Sequence, residues 1–351
     1  MMIRFNNDYN CGAHPQILQA LMDTNTESYG GYGIDPWCEK AEAEIKKYLD
    51  CPEAKVHFMI GGTQVNYTVI SALLRPHQSV ISAATGHINV HETGAVEHCG
   101  HKIHALPATD GKITAEQIAA EADFYHTCPI REHFTQPKLV YLSYPTEYGT
   151  LYSKQELESI HAVCKQYGMY LFIDGARMGY GLGSPAADVT LADIAHLADV
   201  FYIGGTKCGA LFGEAVVFTK AELGTDFRSY IKQNGAMLAK GWLLGLQFYT
   251  LFKDGLYFDI TKNAVQYAMQ IKEAFAAKGI PAYFESPTNQ QFVVIENSMM
   301  AKLDGKYVYE YDHKVDDTHS CIRFCTSWST KPEDKSVYKL TFYLSGSIRV
   351  F

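Results

Sequence analysis

Short apolar runs that predict buried strands alternate with helical segments through the middle of this 351-residue chain. The strands are predicted at residues 56–60, 79–83, 138–143, 169–173, 199–203 and 214–219. Helices are predicted between them at 63–75, 154–167 and 190–198, and the second begins at a capping box formed by Ser153 and Glu156. Repeated strand–helix–strand units build a mostly parallel sheet with helices on both faces, so we expect an α/β fold.

The pattern changes after about residue 223. A largely apolar helical region is predicted at 230–252, a helix at 260–278, and short strands at 291–295 and 321–325. These elements predict a smaller α+β domain. We therefore expect an N-terminal segment (1–20) that periodicity does not place, a large domain (21–230), and a small C-terminal domain (231–351) that includes an interdomain helix.

Charge and composition exclude several classes of protein. The formal net charge is −8 and no basic run occurs, so nucleic-acid binding is not expected. The first residues lack the apolar stretch of a signal peptide, and no apolar run approaches the ~20 residues that span a bilayer. Nine cysteines without a pairing pattern are typical of reduced thiols, so we expect a cytoplasmic protein with no membrane partner.

A carboxylate and an amine follow two of the predicted strands. Asp174 comes directly after 169–173, and Lys207 stands in a glycine-rich stretch just after 199–203. Ligands of open α/β sheets bind at the carboxyl ends of strands, so both side chains are expected at one site. A buried lysine loses its proton readily and can form a Schiff base. Pyridoxal phosphate requires such a lysine together with an aspartate that pairs with its pyridine nitrogen. We therefore expect pyridoxal phosphate as the cofactor and no metal.

Short motifs occur in a fixed order along nearly the whole chain. They are Asn7-Asp8, Tyr32-Gly33-Ile34-Asp35-Pro36, Gly62-Thr63-Gln64-Val65-Asn66, Gly86-His87, Asp174-Gly175-Ala176-Arg177, Thr206-Lys207 and Ile322-Arg323. Each motif alone is weak, but their order and spacing resemble the threonine aldolase and β-eliminating lyase family of fold-type-I pyridoxal-phosphate enzymes.

The resemblance implies an aspartate-aminotransferase-like fold, with a seven-stranded sheet in a large cofactor-binding domain. It implies a homodimer or homotetramer whose subunits share active sites. The implied substrate is an amino acid, and the implied reaction cleaves L-threonine, L-allo-threonine or a related β-hydroxy-α-amino acid to glycine and an aldehyde, as in low-specificity L-threonine aldolases.

The resemblance also implies a role for each matching residue. Lys207 carries the cofactor, Asp174 holds its ring nitrogen, and His87 stacks on the ring and moves protons. Arg177 lies near the cofactor and the substrate carboxylate, and Arg323 binds that carboxylate through paired hydrogen bonds. The other implied contacts join the phosphate to the helix start Gly62-Thr63 and to Thr206, and the substrate to Asn7 and Tyr32.

Two departures from the family pattern affect these expectations. Many members carry a histidine in a Glu-Asn-Thr-His-Asn loop, and residues 144–149 here contain none. Glu147 is therefore a candidate catalytic base beside His87, provided that its pKa is raised. A Met-Arg pair that holds phosphate across the dimer is Met-Leu at 237–238 here, and Lys240 is expected to take its place.

Two other functions stay open at this point. One keeps the cofactor but eliminates a β-substituent or exchanges amino groups, as β-eliminating lyases and aminotransferases do. The other is a zinc hydrolase built on the histidine cluster between His87 and His104, in which His87 and His91 have i, i+4 spacing. The His-Glu-x-x-His order is absent from this cluster. The plain alternative for its other histidines is a partly solvated helix followed by a strand.

Overall fold

The computed structural model describes residues 2–303 and 305–331, and the structural statements below concern these residues. The strands are β1 Ile3–Arg4, β2 Lys55–Met59, β3 Gln78–Ala83, β4 Lys102–Leu106, β5 Gln136–Ser143, β6 Tyr170–Asp174, β7 Val200–Gly204, β8 Glu214–Phe218, β9 Gln290–Glu296, β10 Tyr307–Val308, β11 Glu310–Lys314 and β12 His319–Cys325. The helices are α1 Pro15–Thr24, α2 Pro36–Lys46, α3 Gly62–Leu73, α4 His87–Val90, α5 Ala95–His98, α6 Ala115–Thr127, α7 Lys154–Tyr167, α8 Met178–Leu182, α9 Leu191–Leu197, α10 Phe227–Gln233, α11 Trp242–Phe252, α12 Leu256–Ala276 and α13 Asn297–Leu303.

Seven strands form the central sheet in the order β2-β8-β7-β6-β5-β3-β4. β8 runs antiparallel to both of its neighbours, and all other adjacent pairs are parallel. β3, β7 and β8 are buried along their whole length, as is typical of strands covered on both faces. The predicted mostly parallel sheet is confirmed.

Alternate residues of the central strands enter two separate apolar cores. On β7, Phe201 and Ile203 belong to one core, whereas Val200 and Tyr202 belong to the other. Side chains alternate along a strand, so each core lies on one face of the sheet. A fully buried large apolar side chain contributes about 1.5–3 kcal/mol, and a slip of one residue would exchange the two sets. The two cores therefore fix the register of each strand, and the register determines which residue lies at the end of the strand.

The ends of these strands meet at one edge of the sheet. β5 ends at Ser143, β6 at Asp174 and β7 at Gly204. β8 runs in the opposite direction, so its first residue, Glu214, lies at the same edge and pairs with Gly204. Polar and titratable side chains from four segments are thereby brought to one place.

A smaller antiparallel sheet follows α12, with its strands in the order β11-β12-β9. Phe5, from the segment that periodicity did not place, packs beside Phe324 in the core of this sheet, and Phe275 of α12 joins them. α12 contacts both α8 and β9, so it links the two sheets. The domain limits at residues 20 and 230 remain a prediction, and residues 332–351 of the expected small domain lie outside the described residues.

The helical region predicted at 230–252 consists of two helices. α10 ends at Gln233, and α11 begins at Trp242. Gly235 lies between them with φ of 69°, a left-handed conformation that ends helices and that glycine adopts readily. α11 is strongly apolar, but none of the described helices is long and apolar enough to cross a membrane.

Candidate active site

A cavity opens at the edge where the central strands end. Its lining comes from the residues that follow β2, β5, β6 and β7, from the start of α3, and from α4. The expected site residues in the lining are Gly62, Thr63, His87, Glu147, Asp174, Arg177, Thr206 and Lys207, and they are joined by Tyr9, Tyr202 and Glu214.

The Asp174 carboxylate is buried and accepts four hydrogen bonds. The hydroxyl groups of Tyr141 and Tyr202 donate to it at 2.5 Å each. The Asn66 amide donates at 3.0 Å and a backbone N–H group at 2.9 Å. Burial alone would raise the pKa of Asp174, but the charge of His87 and the tyrosine hydrogen bonds outweigh burial and lower it. The carboxylate is therefore ionised at neutral pH and fixed in position, as the partner of a cationic ring must be.

Lys207 lies in the turn that follows β7. The Tyr180 hydroxyl donates to its backbone carbonyl at 2.6 Å, which anchors the turn. Burial and the charge of Arg177 lower the pKa of the Lys207 amine, although Asp8 and Asp174 oppose this change. A lowered pKa favours the neutral amine, which is the nucleophilic form.

The start of α3 presents backbone donors to the cavity. Its N-cap residue, Gly61, makes no side-chain capping hydrogen bond. A Cβ atom on Gly61 would meet nothing within 4 Å, so the backbone is open to a ligand here. The N–H groups of a first helical turn lack partners within the helix, and the helix dipole attracts anions. Gly62 and Thr63 belong to this helix start, and their contact with a phosphate remains a prediction.

Thr206 and Glu214 form a second polar group in the lining. Thr206 Oγ1 donates to Glu214 Oε1 at 2.7 Å and accepts the Gly213 N–H at 3.0 Å. Glu214 Oε2 accepts the Gly205 N–H at 3.0 Å. Burial raises the pKa of Glu214 to about 8, against the lowering effects of the Thr206 hydrogen bond and the Lys207 charge.

His87 is joined to Asp174 by a chain of buried polar groups. Its Nδ1 atom lies 2.7 Å from Glu92 Oε1, and the Glu92 side chain is completely buried. The Asn66 amide nitrogen donates to Glu92 at 2.7 Å and to Asp174 at 3.0 Å. A carboxylate on one imidazole nitrogen fixes the orientation of the ring and leaves Nε2 for a ligand.

Glu147 is the second titratable group near His87. Its Oε1 atom accepts hydrogen bonds from the Ser143 hydroxyl at 2.5 Å and from the His87 backbone N–H at 2.9 Å. Burial raises the pKa of Glu147, and these two hydrogen bonds only partly offset it. A carboxylate with a raised pKa is a stronger base near neutral pH, which is the condition set for Glu147 by the sequence.

Arg177 reaches the cavity with its charge already paired. Its guanidinium donates to both oxygens of the buried Asp8 carboxylate, at 2.7 and 3.1 Å. Asn289 also donates to Asp8, at 2.9 Å. This pair occupies two of the five N–H donors of the arginine, so the others remain for a ligand.

Arg323 and Asn7 are not in the cavity lining but bind residues next to it. Arg323 donates to Gln290 at 3.1 Å and to the Asn6 carbonyl at 3.0 Å. Its Nε atom is buried and has no hydrogen-bond partner among the described residues. Asn7 accepts the backbone N–H of Tyr9, which does line the cavity, at 3.1 Å.

Tyr32 and Lys240 lie together in a different surface region. The Tyr32 N–H donates to the Ala239 carbonyl at 3.0 Å, and the Arg228 guanidinium donates to the Tyr32 carbonyl at 3.0 Å. Both Tyr32 and Lys240 are exposed, and neither is in the lining of the cavity. Their expected roles therefore require a second chain, and they remain predictions.

The histidine cluster forms two short helices and a strand, in agreement with its plain interpretation. The His101 ring bonds to the Gln78 carbonyl at 3.2 Å, and the His104 ring to the Thr135 hydroxyl at 3.0 Å. Within the described part of the chain, three metal-ligand side chains converge only on the small sheet, at Asp312, His313 and Cys321. The zinc hydrolase is accordingly not favoured.

Several contributors to the cavity were missed by the sequence analysis. The sequence predicts Tyr141 and Tyr202 only as strand residues. A buried phenol nevertheless needs a hydrogen-bond partner, and it therefore signals a nearby acceptor. Glu92 lies within the histidine cluster and has no role in the sequence-based expectations, and Asn66 has one only as part of a motif. Glu214 carried one usable signal, since it is a charged residue at the start of an otherwise apolar strand.

Comparison with known proteins identifies the family to which this arrangement belongs. The model of the β-eliminating lyase family matches residues 11–328. The chain belongs to the β-eliminating lyase family. It is therefore a lyase of a pyridoxal-phosphate-dependent family, as the motifs implied.

Individual relatives agree with this membership. The structure of threonine aldolase from Leishmania major has 43% sequence identity with the chain, covers 98% of both chains and superposes with a TM-score of 0.94. The low specificity L-threonine aldolase of a Pseudomonas species is 29% identical over 335 residues, or 93% of each chain. Aspartate aminotransferase from Thermus thermophilus, at 14% identity and a TM-score of 0.69, covers 98% of this chain and 91% of its own, and it shows the fold alone. The expected fold type I is confirmed.

Proposed function

We propose that this enzyme cleaves L-threonine, L-allo-threonine or a related β-hydroxy-α-amino acid to glycine and an aldehyde, with pyridoxal phosphate as cofactor. One observation carries the proposal: three features surround one cavity. They are Lys207, whose pKa is lowered, the ionised and hydrogen-bonded Asp174, and the unobstructed N-terminus of α3. The similarity to threonine aldolases favours aldol cleavage over β-elimination and amino-group exchange.

The chemistry of the donors fits the cofactor. Gly62 and Thr63 would hold the phosphate, Asp174 would pair with the ring nitrogen, and Lys207 would hold the aldehyde carbon. The open space over Gly61 supports this assignment, because a side chain there would occupy the phosphate cradle. When bound, pyridoxal phosphate supplies an electron sink for the charge left at the α-carbon.

The remaining chemistry is assigned to side chains of the protein. Cleavage begins with removal of the proton from the β-hydroxyl group of the substrate, which requires a base. Glu147 is our first candidate because burial raises its pKa and both of its hydrogen bonds end on Oε1, which leaves Oε2 for the substrate. His87 is the second candidate, through Nε2, since Glu92 holds its Nδ1 atom.

Two arginines are proposed to orient the substrate carboxylate. Arg323 has a buried Nε atom without a hydrogen-bond partner among the described residues, and a bound carboxylate would satisfy it. Arg177 is held by Asp8, so it would bind a ligand through its remaining donors. Asn7 is proposed to support this end of the cavity through its bond to Tyr9.

We also propose a homodimer or a larger homo-oligomer. Tyr32 and Ile34 are 48% and 66% exposed, and Leu18, Met22 and Val90 are large apolar residues with similar exposure. A contiguous exposed apolar patch is typical of a contact surface, and we propose that these side chains contribute to one. All nine cysteines are free, which supports a reducing compartment and a cytoplasmic location.

The test is a product assay on purified protein supplied with pyridoxal phosphate and L-threonine. Equal amounts of glycine and acetaldehyde are expected, whereas 2-oxobutyrate with ammonia would indicate elimination. Lys207→Ala is expected to abolish the reaction. Lys220→Ala is the matched control, because Lys220 pairs with Asp199 away from the cavity. Turnover by Lys207→Ala at the parent rate would refute the assignment.

A further inference from the structure

The hydroxyl proton of Thr206 is already committed in this structure. A hydroxyl group has one proton to donate and two lone pairs that accept. Thr206 donates that proton to Glu214 Oε1 at 2.7 Å, and one lone pair accepts the Gly213 N–H at 3.0 Å. With Glu214 ionised, Thr206 can offer a phosphate oxygen only its second lone pair, which repels it.

Protonation of Glu214 would reverse this hydrogen bond. A neutral carboxylic acid donates one hydrogen bond, so Glu214 Oε1 would donate to Thr206 and Oε2 would still accept the Gly205 N–H. Thr206 would then accept two hydrogen bonds and donate its own proton toward the cavity. A phosphate oxygen beside Thr206 would accept that proton, so every donor of the pair would keep a partner.

The surroundings of Glu214 favour the neutral acid. Its side chain is 4% exposed, and burial disfavours the charged form. The ionised Asp174 on β6 acts in the same direction, whereas the Lys207 charge opposes it. The other titratable groups that interact with Glu214 are Tyr202 of β7, Cys208 of the turn after β7 and Tyr257 of α12, and Met59 of β2 pairs with it in the sheet.

We propose that Glu214 takes up a proton from solvent when a phosphate group binds against Thr206, so that the acid donates to Thr206 Oγ1 and Thr206 donates to the phosphate. Glu214 is thus a proton-holding residue of the phosphate site. The inference rests on the proposed function, in that it takes pyridoxal phosphate as the source of that phosphate. It adds a residue that the motifs did not include and a linkage between pH and cofactor affinity.

The sharpest variant is Glu214→Gln. The amide is neutral at every pH, can donate to Thr206 and can accept from Gly205, so it imitates the protonated acid. An acid with a pKa of about 8 is about nine-tenths ionised at pH 9. The affinity of the parent protein for pyridoxal phosphate is therefore expected to fall about tenfold more than that of Glu214→Gln between pH 7 and pH 9. Thr206→Ser keeps the hydroxyl group and should keep the parent dependence.

A second measurement needs no variant. Calorimetry of the parent protein at pH 8.5, in buffers of different ionisation enthalpy, counts the protons taken up on binding. Pyridoxal lacks the phosphate but keeps the aldehyde, so it removes the contribution of the reaction at Lys207. The protein is expected to take up more protons when it binds pyridoxal phosphate than when it binds pyridoxal. This difference should be absent in Glu214→Gln.

Equal proton uptake with both compounds, or parallel pH dependence in the parent and Glu214→Gln, would overturn the proposal while leaving the aldolase assignment intact. Failure of the parent protein to bind pyridoxal phosphate at any pH would overturn both. Loss of threonine cleavage with normal cofactor binding and normal proton uptake would leave the inference supported and count against the proposed function alone.

Discussion

Two regions of this chain carry residues expected at the active site, and they are built differently. Around Asp174 and Lys207 the side chains are buried or half-buried, and those of Asp174, Thr206 and Glu214 are held by hydrogen bonds at the strand ends. Around Tyr32 and Lys240 the side chains are exposed, and the contacts that hold the region are mainly backbone contacts. The first region can position charge within one chain. The second region presents its residues outward, which suits contribution to the site of another subunit.

The difference separates chemistry from assembly. Electrostatic stabilisation depends on groups that are already oriented, and the four hydrogen bonds to Asp174 provide that orientation. An exposed lysine gains little from a single ion pair and is screened by salt. We therefore expect changes in the buried region to reduce turnover strongly, and changes in the exposed region to act weakly and through cofactor affinity.

After the loss of all activity expected for Lys207→Ala, the next largest effect is expected at Glu147. Removal of a general base typically costs 10²–10⁴-fold, so Glu147→Gln should lower kcat by about that amount. The base acts when ionised, and the pKa of Glu147 is raised, so activity should increase as pH rises through that pKa. Ser143→Ala removes a hydrogen bond that lowers the pKa of Glu147, and should therefore move this limb of the pH profile to higher pH. Normal turnover in Glu147→Gln would leave His87 as the base.

Asp174→Asn should lower kcat by roughly 10²-fold or more, because the amide cannot hold a proton on the ring nitrogen. Asp199→Asn is the matched control, since Asp199 is also 4% exposed but precedes β7, at the opposite end of that strand from the cavity. Thermal unfolding should show that both variants lose stability, and kinetics should show that only Asp174→Asn loses turnover. A similar loss in both would mean that Asp174 acts through folding.

Arg323→Ala should raise KM for the amino acid, while cofactor affinity stays near that of the parent. A hydrogen bond to a charged group contributes about 1.5–3 kcal/mol, which corresponds to roughly 10–150-fold. Arg323 also bonds to Gln290 and the Asn6 carbonyl, so Arg323→Lys serves as a variant that retains the charge. If pyridoxal-phosphate affinity falls and KM is unchanged, the arginine belongs to the cofactor site instead.

The same contrast explains how far the sequence could be interpreted. The strands that end at Asp174 and near Lys207 were predictable because a short apolar run followed by a polar residue is a local signal in the sequence. The roles of Tyr141, Glu92 and Glu214 were not predictable from the sequence. Each of these side chains contacts a partner on another strand or helix, and which residues meet there depends on strand register and helix packing. The break between α10 and α11 depended on one glycine, Gly235, within an apolar stretch.

Lys240→Ala tests the exposed region and should have the smallest effect. An exposed ion pair contributes at most about 1 kcal/mol, so the affinity for pyridoxal phosphate should fall by roughly fivefold or less. Lys232→Ala is the control, because Lys232 lies on the same surface with its Nζ atom 4.7 Å from the Tyr32 ring centroid. Light scattering that shows an active monomer would already rule out any role across subunits.

Mixed oligomers decide whether Lys240 acts in its own subunit or in the partner. Lys207→Ala subunits have no activity of their own, and Lys240→Ala subunits keep activity with weakened cofactor affinity. If Lys240 acts across the interface, a mixed dimer has one site with both changes and one with neither, so sites with parent affinity appear on mixing. If Lys240 acts within its own subunit, every site in the mixed dimer keeps one of the two changes. A titration of activity with pyridoxal phosphate then shows only sites of weakened cofactor affinity. The second result would remove the distinction between the two regions, because Lys240 would then have to reach a cavity that it does not line in this chain.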